Sequence, residues 1–396
     1  MIPKNSSGAN QPAKPGLAED IDGDWPAAAL EPLPAMPDRA RKGRGAVSNR
    51  SGRFEAQARV AVDDGWSGET EDDVPPLATT LIRDTSRSII AHNNSPDIPF
   101  DRSINPYRGC EHGCVYCYAR PTHAFLGFSP GLDFETKLLF KPEAAALLRQ
   151  ELSVRNYKCQ AMAIGTNTDA YQPIEREQRI MRSVLEVLAA FNHPVGIVTK
   201  SYLVTRDIDI LGPMAAKGLA HVYLSITTLD GKLARRMEPR AAAPGRRLQA
   251  IEQLAAAGIP TGVMTAPMIP GLNDHEMEAI LEEAHKRGAR MGNYTALRLP
   301  LEIKDLFGEW LREHYPDRAE RVFSLVRQMR GGKDYDADWS QRMRGTGPVA
   351  DILRARFEAA CKRLGINDRR FHMRLDTSQF AVPAGSADAR GQLNLL

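Results

Sequence analysis

Three cysteines, Cys110, Cys114 and Cys117, fall within eight residues in the stretch Arg108-Gly109-Cys110-Glu111-His112-Gly113-Cys114-Val115-Tyr116-Cys117-Tyr118. The spacing is C-x3-C-x2-C. A structural zinc site closes with four ligands, often as two separated Cys-x2-Cys pairs, and no good fourth ligand stands beside these three. Three thiolates suit an iron–sulfur cluster with one iron left unligated by protein. Such an iron takes an exogenous ligand, which makes it a reaction site rather than a staple. A zinc knuckle or a disulfide loop is the alternative. A disulfide framework needs an oxidising compartment, whereas 5 cysteines in 396 residues, three of them clustered, fit a reducing cytoplasm.

The elements that must position these thiols are legible as a repeat of strand, loop and helix. Short apolar strands are expected at Ile104 to Tyr107, Ala161 to Ile164, Val195 to Thr199, Val222 to Ile226, Thr261 to Thr265 and Asn293 to Leu297. Between them, apolar residues at helical spacing (Ile180, Val184, Leu185 and Leu188, for example) mark helices. Asp207 and Asn273 or Asp274 are expected as helix caps. Crossovers of this length are right-handed, so the sheet is parallel and curls. Near-continuous apolar strands fit a sheet covered on its outer face. Six units are fewer than the eight of a closed barrel, and an open doubly wound sheet is the alternative topology. The expected organisation is a mostly disordered N-terminal segment (1–76), the α/β unit (77–300), a helical C-terminal extension (301–380) and a tail (381–396). The net charge of +3 decides nothing about nucleic acid. No apolar run is long enough to span a membrane, and the N-terminus lacks the apolar region of a secretory signal.

C-x3-C-x-aromatic-C resembles the signature of the radical S-adenosylmethionine (radical SAM) enzymes. The resemblance implies a partial (β/α)6 TIM-like barrel with Cys110, Cys114 and Cys117 holding a [4Fe–4S] cluster. It also implies S-adenosylmethionine (SAM) chelated through its amino and carboxylate groups by the fourth iron. One-electron reduction, from a donor such as flavodoxin or ferredoxin, then releases a 5′-deoxyadenosyl radical. Tyr116 becomes the aromatic near the adenine. The Cys-x-Tyr-Cys-Tyr of Cys114 to Tyr118 and the Thr168-Asp169 pair look like spore photoproduct lyase, a DNA repair enzyme. Those lyases carry a further cysteine at the end of the second strand, where this chain has Thr166. Cys159 reads as inert, and Cys361, after Ala359 and Ala360 in a helical pattern, as buried. Gly43-Arg44-Gly45-Ala46-Val47-Ser48-Asn49 and Gly52-Arg53-Phe54-Glu55 look like a motif of one uncharacterised branch of the same family, with no role attached. A non-catalytic Fe–S or zinc-binding protein is the reading from another class.

Parallel α/β barrels keep their chemistry at the C-terminal strand ends, so those ends supply the other candidates. After the second strand, Asn167 or Asp169 can accept from the methionine ammonium, although Asp169 also suits an Asx-turn. After the third, Lys200 can pair with the SAM carboxylate or a substrate phosphate. On the fourth, Ser225 can reach the ribose hydroxyls. After the sixth, Arg298 suits an anionic partner; with Tyr118 it is the catalytic candidate. Glu238 belongs to a polar group that the sequence does not place. From Arg342 to Arg374 nine Lys or Arg face three Asp or Glu, either a solvated helix face or a nucleic-acid contact.

Overall fold

The computed structural model describes residues 40–55, 77–368 and 374–384. The expected disordered segment falls partly on residues 1–39 and 56–76, and the expected tail partly on 385–396, all outside the described residues. Residues 40–55 are packed, with Ala46, Val47 and Ser48 buried. The stretch expected to lack structure thus contributes an ordered piece.

Ten strands follow in chain order among the described residues: β1 (Thr80–Arg83), β2 (Ile90–His92), β3 (Arg102–Ile104), β4 (Tyr107–Arg108), β5 (Lys137–Phe140), β6 (Met162–Ile164), β7 (Val195–Thr199), β8 (Ala220–Ser225), β9 (Thr261–Met268) and β10 (Met291–Ala296). The main sheet has the order β10-β9-β8-β7-β6-β3-β2. From β3 through β10 every pairing is parallel, and β2 adds an antiparallel edge. These are the six expected parallel strands in sequential order. No pairing joins β10 back to β3 or β2, so the barrel is partial.

One boundary differs. The expected first strand, Ile104 to Tyr107, is two strands. Pro106 has no N–H to give a ladder, so the chain leaves the main sheet after Ile104. It resumes at β4 in a small separate sheet of order β1-β5-β4. That small sheet carries the cysteine loop, which starts directly after β4.

Helices cover the outer face of the main sheet. In Ile180–Ala190 the residues Ile180, Met181, Val184, Leu185, Val187 and Leu188 are buried, as their spacing requires. Strand β6 ends at Gly165, whose φ is +82°; a Cβ there would lie 1.9 Å from the Val198 carbonyl oxygen. The left-handed turn that only glycine makes cheaply throws the following polar loop to the mouth of the barrel.

The helical extension is present as Ile303–His314, Pro316–Gln328 and Gly347–Leu364, ended by Gly365 at φ +68°. It is not a separate appendage. Phe357 packs on Tyr294 of β10 with ring centroids 4.9 Å apart. Phe307, Trp310 and Leu311 share an apolar cluster with Cys114, Val115 and Tyr116. The Trp310 indole donates to the Arg236 carbonyl at 3.0 Å, so this buried tryptophan pays no unsatisfied donor.

Candidate active site

The cysteine loop is held from four sides through its backbone. Cys110 N–H donates to Phe134 O at 2.9 Å, and Val115 N–H to Met237 O at 3.0 Å. Glu111 N–H donates to the Gln172 side chain at 2.8 Å. Buried Arg120 donates to the carbonyls of Cys114 at 2.9 Å and Gly113 at 3.1 Å. Cys110 and Cys114 are buried, Cys117 is partly buried, and all three are free thiols. Burial pushes the Cys114 thiol up to about 12, with Lys200 pulling it back and Glu238 and Cys117 adding to the rise. Burial, then Asp169 and the two neighbouring sulfurs, raise the Cys110 thiol well above its ordinary value. Ligation to a cation is what would make thiolates here.

The ends of β6, β7 and β8 meet this loop. Asp169 is saturated: its Oδ1 accepts from Thr199 Oγ1 at 2.7 Å and Tyr171 N–H at 2.9 Å. Its Oδ2 accepts from Lys200 N–H at 2.8 Å and faces His112 Nδ1 at 3.3 Å. Burial works against its charge, but His112 and these donors outweigh it and hold the carboxyl at about 2. With about four acceptor positions taken, Asp169 ties β6 and β7 to the cysteine loop. It is not open to an ammonium as the sequence suggested. The Tyr171 N–H bond is the Asx-turn. Asn167, in the same loop, is partly buried and keeps its amide uncommitted among the described residues.

Lys200 places its ammonium 5.8 Å from the Tyr116 ring centroid. Burial opposes its charge, yet Cys114 and Glu238 opposite raise its pKa. Tyr116 donates its hydroxyl to Glu238, which also accepts from Thr227 Oγ1 at 2.6 Å and pairs with Arg247. Glu238 and Arg247 are both fully buried. Burial would raise the Glu238 carboxyl; Arg247 first and Lys200 second hold it at about 2. Ser225 donates its hydroxyl to Ala266 O at 3.2 Å, while its own carbonyl accepts from Arg247 at 3.0 Å.

Tyr118, 43% exposed, donates its hydroxyl to Thr166 O. The Arg298 guanidinium lies 4.8 Å over its ring. Arg298 Nε is buried with no hydrogen-bond partner among the described residues. The neighbouring carboxylate, Asp97, is engaged by Arg342 with two bonds of 2.6 Å.

A family model described as the radical SAM superfamily matches residues 104–284. An uncharacterized protein of Mycobacterium tuberculosis is 35% identical over 237 residues, covering 59% of this chain and 70% of that relative. The chain belongs to the radical SAM superfamily. An uncharacterized protein of Methanocaldococcus jannaschii is 27% identical over 221 residues, 55% of this chain and 78% of that relative. Among solved structures, the chain is similar to spore photoproduct lyase complexed with dinucleoside spore photoproduct. That match has 16% identity and a TM-score of 0.48, covering 72% of this chain and 79% of that one.

As a radical SAM enzyme the protein uses a [4Fe–4S] cluster and SAM. The donor set fits the cluster. The loop offers three free thiols, the number such a cluster takes when one iron is left open. The other cysteines stand apart. Cys159 precedes β6 at the opposite strand end, with Arg102 and Asp376 as its charged neighbours. Cys361 is buried in the last helix.

The structure brings Tyr116, Tyr118, Asn167, Asp169, Lys200 and Ser225 to the strand ends around the three cysteines, with Arg298 beside Tyr118. Sequence reasoning left Glu238 unplaced and missed Arg247, His112 and Arg120, because charged residues far apart in sequence give no signal of their pairing. Neither expected cap uses its side chain as one. Asp207 is instead paired with Arg182 and Arg206. The Asn273 amide donates to Thr227 O at 2.8 Å and Pro267 O at 3.0 Å, tying the ends of β8 and β9 together. In the basic run Arg342, Arg354 and Arg356 pair with Asp97, Asp351 and Glu278, while Lys362 and Arg363 are exposed. Arg369 and Arg370 lie outside the described residues. No helix among the described residues is long and apolar enough to cross a membrane.

Proposed function

We propose that Cys110, Cys114 and Cys117 ligate the cluster and that the ends of β6, β7 and β8 hold SAM against it. The observation that supports this best is the meeting of three free thiols, in one buried loop, with polar strand ends. When bound, the cluster held by Cys110, Cys114 and Cys117 would supply the electron for reductive cleavage of SAM, the source of radical chemistry in this superfamily. The chain's own residues bind and orient. Asn167 accepts from the methionine ammonium, Lys200 pairs with the carboxylate, Ser225 hydrogen-bonds the ribose, and the Tyr116 ring packs at the adenine. Asp169 positions Lys200 and the cysteine loop. A one-electron donor such as flavodoxin or ferredoxin reduces the enzyme, which works in the cytoplasm.

The substrate binds beside the Tyr118–Arg298 stack at the mouth of the barrel. Arg298 has no carboxylate of its own there, so the substrate is anionic at that end. A lyase acting on nucleic acid is the second reading; in the basic run Arg342, Arg354 and Arg356 are paired, which leaves Lys362 and Arg363 among its exposed cations.

The test is anaerobic reconstitution with iron and sulfide, followed by dithionite and SAM, assayed for 5′-deoxyadenosine. Its formation is the expected result. Zinc without iron and sulfide after anaerobic purification sinks the cluster assignment. A cluster whose EPR signal is unmoved by SAM leaves only an electron carrier. Two variants refine the reading. Lys200→Met weakens SAM binding roughly tenfold or more, the worth of one charge-assisted hydrogen bond, as read by equilibrium titration. Arg298→Ala leaves uncoupled 5′-deoxyadenosine formation unchanged and raises KM for an anionic substrate by a similar factor.

A further inference from the structure

The N-terminal strap of residues 40–55 lies against the cysteine loop, and nothing above gives it a task. Its centre meets a buried ion pair. Arg120 and Glu135 are fully buried and 2.5 Å apart. Arg120 spends its remaining donors on the carbonyls of Gly113 and Cys114 in the loop and of Pro130 and Gly131 beyond it. Of the acceptor positions left on Glu135 the strap fills two: Gly45 N–H donates to Oε2 at 3.0 Å and Ala46 N–H to Oε1 at 2.8 Å. Arg44, itself buried, donates to the Glu135 carbonyl at 2.9 Å.

The fit is close. A Cβ on Gly45 would lie 1.8 Å from the Gly113 carbonyl oxygen, so only glycine passes here. Beyond it, Val47 joins the apolar cluster of Cys114, Val115 and Tyr116. Asn49 and Asp133 exchange two hydrogen bonds: Asn49 Nδ2 donates at 3.0 Å and Asp133 N–H donates back at 2.8 Å.

From this geometry we infer that Gly45 to Asn49 are positioning residues for the cluster, acting through Glu135 and Arg120. This rests on the cluster assignment proposed above. A buried ion pair holds its place only when its leftover lone pairs and protons are satisfied. The strap amides satisfy Glu135, Glu135 fixes Arg120, and Arg120 fixes the two carbonyls that flank and include Cys114. Val47 meanwhile closes the loop's outer side to water and oxygen. Displacing the strap lets the pair hydrate and the loop shift, with the ligands still present.

The test compares full-length wild type with Gly45→Val, Asn49→Asp and, as control, Phe54→Ala at the 60% exposed end of the strap. Each is reconstituted and read for iron per chain after desalting, for the half-life of cluster absorbance in air, and for the EPR spectrum of the reduced cluster. Gly45→Val and Asn49→Asp, with unchanged far-UV circular dichroism, are expected to bleach about tenfold faster, the scale on which outer partners tune metal sites. Their EPR spectra are expected to shift, and Phe54→Ala is expected to match wild type. A global loss of stability would not move the EPR spectrum of a chain that still folds. If Gly45→Val does not fold, Asn49→Asp decides alone, since it adds no atom to the backbone contact. Unchanged iron, bleaching and EPR spectra in the folded variants overturn the inference. A wild type that holds no iron instead sinks the cluster assignment on which it rests.

Discussion

Cys114→Ala folds and makes no 5′-deoxyadenosine. The sulfur of Cys114 sits in an apolar cluster with Val115, Tyr116, Met237 and Trp310, so alanine removes one atom from a site that is otherwise packed. That is a small truncation by the standards of core substitutions, and the thiol it replaces is a neutral one, since burial pushes it up to about 12. None of the hydrogen bonds described for the loop uses the Cys114 sulfur, so they survive. What is lost is one of three thiolates, and two do not hold a cluster that needs three irons anchored. Iron per chain is expected to fall from about four to under about one after anaerobic desalting. The product is expected to fall to background while far-UV circular dichroism stays as in wild type. Cys159→Ala and Cys361→Ala, whose thiols stand away from the loop, keep both iron and product. Wild-type product from Cys114→Ala would reject the ligand assignment.

The barrel was legible because a buried parallel strand is a short apolar run closed by glycine or a polar loop, and β6 to β10 all read that way. The cysteines were legible because a cluster's ligands can lie in one local stretch. What was not legible is what depends on distant partners. Asn273 resembles a cap in sequence; its amide is instead drawn to carbonyls at the ends of β8 and β9, where two strands must be held level. Asp169 read equally as an Asx-turn or a ligand. It makes the turn with Tyr171 and, through Thr199, His112 and the Lys200 amide, a junction that spans three elements. The strap's role escaped because Gly-Arg-Gly-Ala has no periodicity: its hold on Glu135 comes chiefly from two backbone amides, which any residue has, beside one glycine that must be glycine.

Glu238→Ala costs about 3–5 kcal/mol of stability, the penalty for leaving a buried charge without its partner. Arg247 has no substitute, since its other bonds go to the neutral carbonyls of Ala242 and Ser225. Tyr116 and Thr227 lose an acceptor in the same step. The measurement is urea denaturation of the cluster-free chain, so that metal binding does not add to the balance. In Glu238→Ala combined with Arg247→Met most of the cost returns, because an apolar replacement of both members leaves no orphan charge. The pH dependence gives an independent check. The Glu238 carboxyl lies at about 2 in the folded chain against an ordinary 4.5. A depressed carboxylate contributes its stability in full above the ordinary value and loses it as pH falls toward the folded one. The difference corresponds to about 3 kcal/mol, in line with the mutational cost. Wild-type stability is therefore expected to fall between pH 5 and pH 2 by that much more than the stability of Glu238→Gln, which has no proton to bind. Equal slopes in the two proteins would mean that the carboxylate's charge is not what anchors Arg247 and Tyr116 beneath the cysteine loop.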